Sequence, residues 1–183
     1  MRSVVVVEPE TPENTGFIAR LCANFGFEMR LVDPCFNLED ARETANNAQQ
    51  VLRDSRIYGS VDEAVEGLEF VVGTKPGRGV EASSFRFREN TSIMLGRESS
   101  GLSNAELERC DATVHIETSD YSSLNLSHAA AVVMHQALKP EGRNAPGDRL
   151  DFLRERTSEE LGDLLARASP TEKEVDRVLK DLV

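Results

Sequence analysis

Three short segments hold most of the side chains in this sequence that could bind a ligand or catalyse a reaction. Pro12-Glu13-Asn14-Thr15-Gly16 runs on to Ala19-Arg20; Ile93-Met94-Leu95-Gly96-Arg97-Glu98 is followed by Gly101-Leu102; and Ser123-Leu124-Asn125-Leu126-Ser127 leads to a run of alanines. Each lies where an apolar strand gives way to a loop or helix. Loops at strand ends of an open α/β sheet are where ligands bind, so the three segments point to one shared site. Arg20, three positions after Phe17 on an otherwise apolar helix face, is either a surface arginine with a solvated head or a cation that holds an anionic substrate. Asn14 and Glu98 fix loops or an arginine network, or else serve as an N-cap and an ordinary salt bridge. Ser123 and Asn125 either cap the following helix or touch a ligand, because the free N–H groups at Leu124–Leu126 suit a phosphate.

Other chemistries find no support in the residues. Glu8 to Thr15 contains no G-x-G-x-x-G, and no Walker, H-E-x-x-H or G-x-S-x-G pattern occurs. His115, His128 and His135 lack metal-ligand spacing, so no metal is expected. Cys22, Cys35 and Cys110 are odd in number, far apart and free of C-x-x-C, as in a reduced cytoplasmic protein.

The elements around these residues alternate in type. Val4–Val7 reads as a buried strand. Asn14 or Thr15 opens a helix with Phe17, Ile18, Leu21, Cys22 and Phe25 at helical spacing, stopped by Gly26. Met29–Val32 is a strand; residues 38–52 and 61–66 are helices; Phe70–Val72 is a strand closed by Gly73-Thr74; Lys75–Gly79 is a loop. Thr91–Leu95 and Thr113–Ile116 are strands, Asn104–Cys110 is a helix, and residues 124–138 form a strongly apolar helix. Strands alternating with helices predict an α/β fold with a largely parallel sheet. The expected organisation is one domain over 1–140, a linker over 141–156 and a charged helical extension over 157–183.

A length of 183 residues suits one buried core, and 39% hydrophobic with 29% charged residues describes an ordinary globular chain. No stretch has the apolar length of a membrane span, and the N-terminal run is too short for a signal peptide, so the expected location is the cytoplasm, without a membrane partner. Net charge is −11, and the basic residues are nearly all arginine, with lysine only at 75, 139, 173 and 180. Acidity normally counts against nucleic-acid binding. In a salty cytoplasm, which this composition also suits, the Debye length falls to about 3 Å at 1 M salt, so distant charge does not veto a local arginine-lined groove. Phe85-Arg86-Phe87-Arg88 puts both arginines on one face of an extended segment. With Lys75 and Arg78 they form either a basic rim for RNA or a loop with incidental charge. Tyr121 offers an aromatic face for a splayed-out base.

Taken in order and at domain-scale spacing, the three segments resemble the motifs of the SpoU/TrmH branch of the SPOUT RNA methyltransferases. Ser123-Leu124-Asn125-Leu126 and the strand-ending Gly73-Thr74 are most similar to TrmJ-like tRNA enzymes. The resemblance spans about residues 4 to 138. It implies a parallel-sheet α/β/α sandwich with a C-terminal deep trefoil knot, a homodimer, and methylation of a ribose 2′-hydroxyl in RNA from S-adenosylmethionine. The expected substrate is tRNA, at the first nucleotide of the anticodon loop; rRNA is the alternative, as is a non-catalytic RNA- or nucleotide-binding protein on the same scaffold. By the same resemblance, Arg20, Asn14, Ser123, Glu98 and Asn125 serve catalysis, while Thr74, Leu95, Gly96, Glu98, Ile116, Ser123 and Leu124 bind the cofactor. Gly96 is expected to let backbone approach the adenosine, and Leu95 and Ile116 to wall it. Guanidinium groups keep their proton in proteins. Arg20 is therefore expected to hold the RNA phosphate and stabilise developing charge on the oxygen, rather than act as a base.

Overall fold

The computed structural model describes residues 2–120 and 123–138. Tyr121, the expected linker and the expected C-terminal helices lie outside the described residues. Within them, the first strand shows how the layers form. Every residue of β1 (Ser3–Val7) is buried; Val4 and Val6 join one apolar cluster, Val5 and Val7 another. Successive strand residues point to opposite faces, so four consecutive valines can all be buried only in a sheet covered on both sides. Each contributes about 1.5–3 kcal/mol.

The remaining strands are β2 (Glu28–Val32), β3 (Arg56–Tyr58), β4 (Phe70–Thr74), β5 (Val80–Glu81), β6 (Thr91–Leu95) and β7 (Ala112–His115). They form one sheet in the order β3-β2-β1-β6-β4-β7-β5, with every registered pair parallel. One face is covered by α1 (Pro12–Phe25), α2 (Arg42–Ala45), α3 (Gln49–Asp54) and α6 (Leu126–Ala137). The other carries α4 (Val61–Val65) and α5 (Asn104–Leu107). Because all strands run the same way, their carboxyl ends share one edge, and all three motif segments follow or face that edge.

The sheet is wider than the sequence pattern predicts. β3 and β5 have three and two residues, too few for periodicity to register. The helix expected over 38–52 is broken: short 3-10 turns at Leu38–Ala41 and Asn46–Ala48 flank α2, and Asn46 takes a left-handed φ of 49°. The cause is close packing against α1. A Cβ on Gly16 would lie 2.0 Å from Thr44 Oγ1 and 2.5 Å from the Ala41 carbonyl oxygen, so the two segments meet nearly backbone to backbone.

α1 starts earlier than expected. Thr11 is the N-cap and Pro12 the first helical residue, where its missing N–H costs nothing; Asn14 is thereby released for another use. Gly26 ends the helix as expected, with φ 70° and its N–H donated to the Cys22 carbonyl. The cysteines are free, and burial pushes the Cys22 and Cys110 thiols up to about 12, with Asp111 and Glu106 adding to the rise at Cys110. Among the described residues no His, Cys, Asp and Glu cluster could hold a metal ion, and no helix is long and apolar enough to cross a membrane.

Candidate active site

The carboxyl edge opens into a cavity of about 300 Å³. Thr74, Gly96 and Ile116, at the ends of the adjacent strands β4, β6 and β7, line its base. Leu124, Leu126 and Val133, at and within α6, give it an apolar wall, and the turn 97–101 gives it a polar one. Ser123 and Lys75 also border it. Of the expected cofactor-binding residues, Thr74, Gly96, Glu98, Ile116, Ser123 and Leu124 are therefore brought together.

Hydrogen bonds tie the three motif segments to one another. Glu98 accepts from the N–H groups of Glu10 at 2.8 Å and Thr11 at 3.2 Å, and from Asn14 Nδ2 at 3.1 Å. Asn14 is buried, and its Oδ1 in turn accepts from Asn125 Nδ2 at 2.9 Å. Asn125 Oδ1 accepts from the Ser127 and His128 N–H groups at 2.9 and 3.3 Å, capping α6. Asn125 thus caps the helix with one side-chain atom and reaches the first motif with the other, and it is not among the residues lining the cavity. Glu10 closes the bond pattern in reverse, accepting from Ser99 N–H at 2.8 Å and Oγ at 2.7 Å. Those bonds hold its carboxyl below the usual carboxylate range.

Gly96 is constrained by a neighbour other than the expected one. A Cβ there would sit 2.2 Å from the Gly101 carbonyl carbon and 2.3 Å from the Leu102 nitrogen. The residue must be glycine so that the turn can fold back over the strand, before any ligand is considered. Gly101, with φ 66°, closes that turn by donating its N–H to the Arg97 carbonyl at 2.9 Å.

The structure separates other residues from the cavity. The Leu95 side chain is fully buried in the apolar core on the α1/α6 face and supplies no wall; Val114, Leu126 and Val133 line the cavity instead. Arg20 is exposed on α1, outside the cavity of its own chain, with its guanidinium 5.9 Å from the centroid of the Phe17 ring. Of the expected basic rim, Lys75 borders the cavity, but Arg88 stands at the opposite edge of the sheet. Lys75 Nζ donates to the Leu102 carbonyl, and Arg78 donates to Asn104 Oδ1 at 2.6 Å. Arg88 lies over the Phe70 ring, and its N–H donates to Thr91 Oγ1. Phe70 and Thr91 begin their strands, so with five residues per strand Arg88 sits roughly 16 Å from the site, at the opposite edge. Arg86 precedes it in the same segment, next in sequence to Phe85 and Phe87, both of which are buried.

Glu8, Glu10 and Ser99 were not among the expected site residues, and Arg97, though part of the second motif, had no role assigned. The signal available was an acidic residue at each of positions 8 and 10 just after a buried strand, opposite a motif carrying Arg97. The model of the SpoU rRNA Methylase family matches residues 1–135, most of the chain. The chain belongs to the SpoU rRNA methylase family. A relative from Methanocaldococcus jannaschii, tRNA (cytidine-2′-O-)-methyltransferase TrmJ, is 35% identical over 184 residues, covering 91% of this chain and 79% of that protein. The tRNA (cytidine(34)-2′-O)-methyltransferase of Escherichia coli is 30% identical, covering 78% and 95%. The crystal structure of TrmJ from Z. mobilis matches with a TM-score of 0.66 at 25% identity, covering 100% of this chain and 97% of that one. This SpoU-family chain therefore carries its three motif segments around one cavity at the carboxyl edge of a parallel sheet.

Proposed function

We propose that the chain methylates a ribose 2′-hydroxyl of tRNA using S-adenosylmethionine. The observation that carries this reading is the hydrogen-bonded chain Glu98–Asn14–Asn125, which joins all three motif segments beside a cavity of ligand size. The relatives at 35% and 30% identity are both named as tRNA 2′-O-methyltransferases, which favours tRNA over rRNA and catalysis over a binding protein on the same scaffold.

The cavity suits the proposed cofactor. Its apolar wall of Leu124, Leu126 and Val133 with Ile116 matches a nucleoside face, and Thr74 with the backbone of the turn 96–101 offers polar partners. S-adenosylmethionine supplies a methyl group activated on a positively charged sulfur. The chain's own residues then have three tasks. Thr74, Gly96, Ile116 and Leu124 hold the donor, with Ser123 at the edge of the cavity. Glu98, Asn14 and Asn125 keep the first segment fixed against it. Arg20 holds the RNA phosphate and stabilises charge developing on the 2′-oxygen; the proton leaves to the phosphate or to water. Since Arg20 lies outside the cavity of its own chain, this reading takes it from a second copy. A homodimer through the faces of α1 and α6 is supported by Phe17 and Val132, which are 42% and 40% exposed. A C-terminal deep trefoil knot and a cytoplasmic location complete the reading.

The test is methyl transfer from isotope-labelled S-adenosylmethionine to tRNA and rRNA, followed by mass spectrometry of nuclease fragments. A 2′-O-methyl in the anticodon loop of tRNA supports the reading, and its position separates the first loop nucleotide from position 34. Transfer to rRNA alone, or to no RNA, overturns it.

A further inference from the structure

Arg97 borders the cavity, yet it has nothing left to offer a ligand. A guanidinium carries five N–H donors. Here Nε donates to Glu8 Oε2 at 2.8 Å, Nη2 donates to Glu8 Oε1 at 2.5 Å and to Glu106 Oε1 at 3.0 Å, and Nη1 donates to Glu106 Oε2 at 3.1 Å and to the Gly101 carbonyl at 3.5 Å. The side chain is 20% exposed, and that of Glu106 13%. Both carboxylates are gripped in two-point fashion, which gives direction as well as attraction.

The acceptors belong to different parts of the site. Glu106 is half of the capping box of α5 with Ser103, and Gly101 closes the turn that walls the cavity. Glu8 is the first residue after β1 and takes a left-handed φ of 42°, with its N–H donated to the Val32 carbonyl at 2.8 Å. A non-glycine residue there is strained and persists only where its surroundings hold it. From Glu8 the chain turns directly into α1, which carries Asn14 and Arg20.

We propose that Arg97 is a positioning residue that sets the cofactor-side turn and the start of α1 in one fixed relation, through Glu8. This rests on the methyltransferase reading for its catalytic consequence, though the coupling itself can be read without catalysis. Lysine, a point charge with three donors, cannot grip both carboxylates in this way, so charge alone does not replace the arginine.

The experiment uses the full chain and the variants R97K, R97M, E8Q and E106Q. Binding of S-adenosylhomocysteine is followed by calorimetry, single-turnover methyl transfer to tRNA by labelled cofactor, melting temperature by scanning calorimetry, and backbone amide exchange by mass spectrometry. E8Q is expected to slow transfer about tenfold while S-adenosylhomocysteine affinity stays within twofold; E106Q is expected to weaken that affinity about fivefold. R97K is expected to behave like R97M rather than like the unchanged protein. In R97M, exchange rises at residues 8–14 as well as 97–101. If R97M fails to fold, R97K and E8Q carry the same comparisons. A merely structural role moves rate, affinity and melting temperature together in every variant, and that outcome overturns the proposal. So does transfer by R97K at the full rate, or exchange at 8–14 unchanged in the Arg97 variants. If the unchanged chain methylates no RNA, the functional reading fails by itself, and the exchange data still decide the coupling.

Discussion

Arginine occurs at both edges of the same parallel sheet, and the two edges hold it by different physics. At the carboxyl edge Arg97 lies between two carboxylates that take four of its five donated bonds and fix its plane. At the amino edge the Arg88 guanidinium lies 3.9 Å from the centroid of the Phe70 ring, and that of Arg2 lies 5.8 Å from Phe27, with its Nε donating to the Glu89 carbonyl at 2.6 Å. Stacked arginines cover apolar surface with their stems and gain a modest cation–π attraction; they fasten the bottom of the sheet. A forked ion pair instead fixes two loops in a single orientation. An arginine thus becomes part of a site through what receives its donors, and its spacing in sequence does not reveal that.

The comparison predicts a descending series of effects. Arg20→Ala, at the outer face of α1, is expected to lower methyl transfer about 10²–10³-fold, the cost of removing one charge-stabilising donor, while calorimetric affinity for S-adenosylhomocysteine stays within a few-fold. An equal loss of affinity would place Arg20 on the cofactor side and break the division of labour. Gly96→Ala forces the new carbon into the Gly101 backbone and is expected to cost about 3 kcal/mol in urea unfolding; unchanged stability would mean that the turn moves freely. Asn125→Ala removes the α6 cap, about 1 kcal/mol, and slows transfer. Asn125→Ser is expected to regain stability but not rate, because serine caps the helix without reaching Asn14. At the other edge, Arg88→Ala is expected to cost about 1 kcal/mol with the transfer rate and RNA affinity, measured by filter binding, within twofold.

The smallest effect is a pH dependence. Burial alone would raise the Glu106 carboxyl, but hydrogen bonds from Arg97 and Ser103 hold it below its ordinary value of 4.5. A carboxylate lowered on folding adds stability that is fully present above its unfolded pKa and disappears as pH falls through the folded one. Urea midpoints measured from pH 6 downward should therefore hold to about 4.5 and then drop, and Glu106→Gln should flatten that drop. An equally steep drop in Glu106→Gln would assign it to other carboxylates.

Much of the frame was legible because burial writes itself into local pattern. Val4–Val7 demanded a sheet covered on both faces, Gly26 ended α1, and the three motif segments do converge. What escaped had no local signature. β3 and β5 are too short to show a period. The break in residues 38–52 comes from contact with Gly16, far away in sequence. Phe85-Arg86-Phe87-Arg88 left open a basic rim for RNA or a loop with incidental charge; the structure shows that its alternation buries the phenylalanines, which pack edge to face at 4.9 Å. Leu95 and Gly96 were expected to face a ligand; Leu95 is core, while Gly96 borders the cavity and also makes room for its own turn.

Which residues are apolar in which period, where helices must stop, and which polar groups stand at strand ends are all local matters, set by burial and backbone sterics over a few residues. Which of those polar groups meet depends on the assembled sheet. The bonds from Glu98 to Asn14, Asn14 to Asn125 and Arg97 to Glu8 span between 84 and 111 positions of chain. Hydrogen bonds act over about 3 Å, so such pairs form only once the whole sheet has brought its carboxyl ends together.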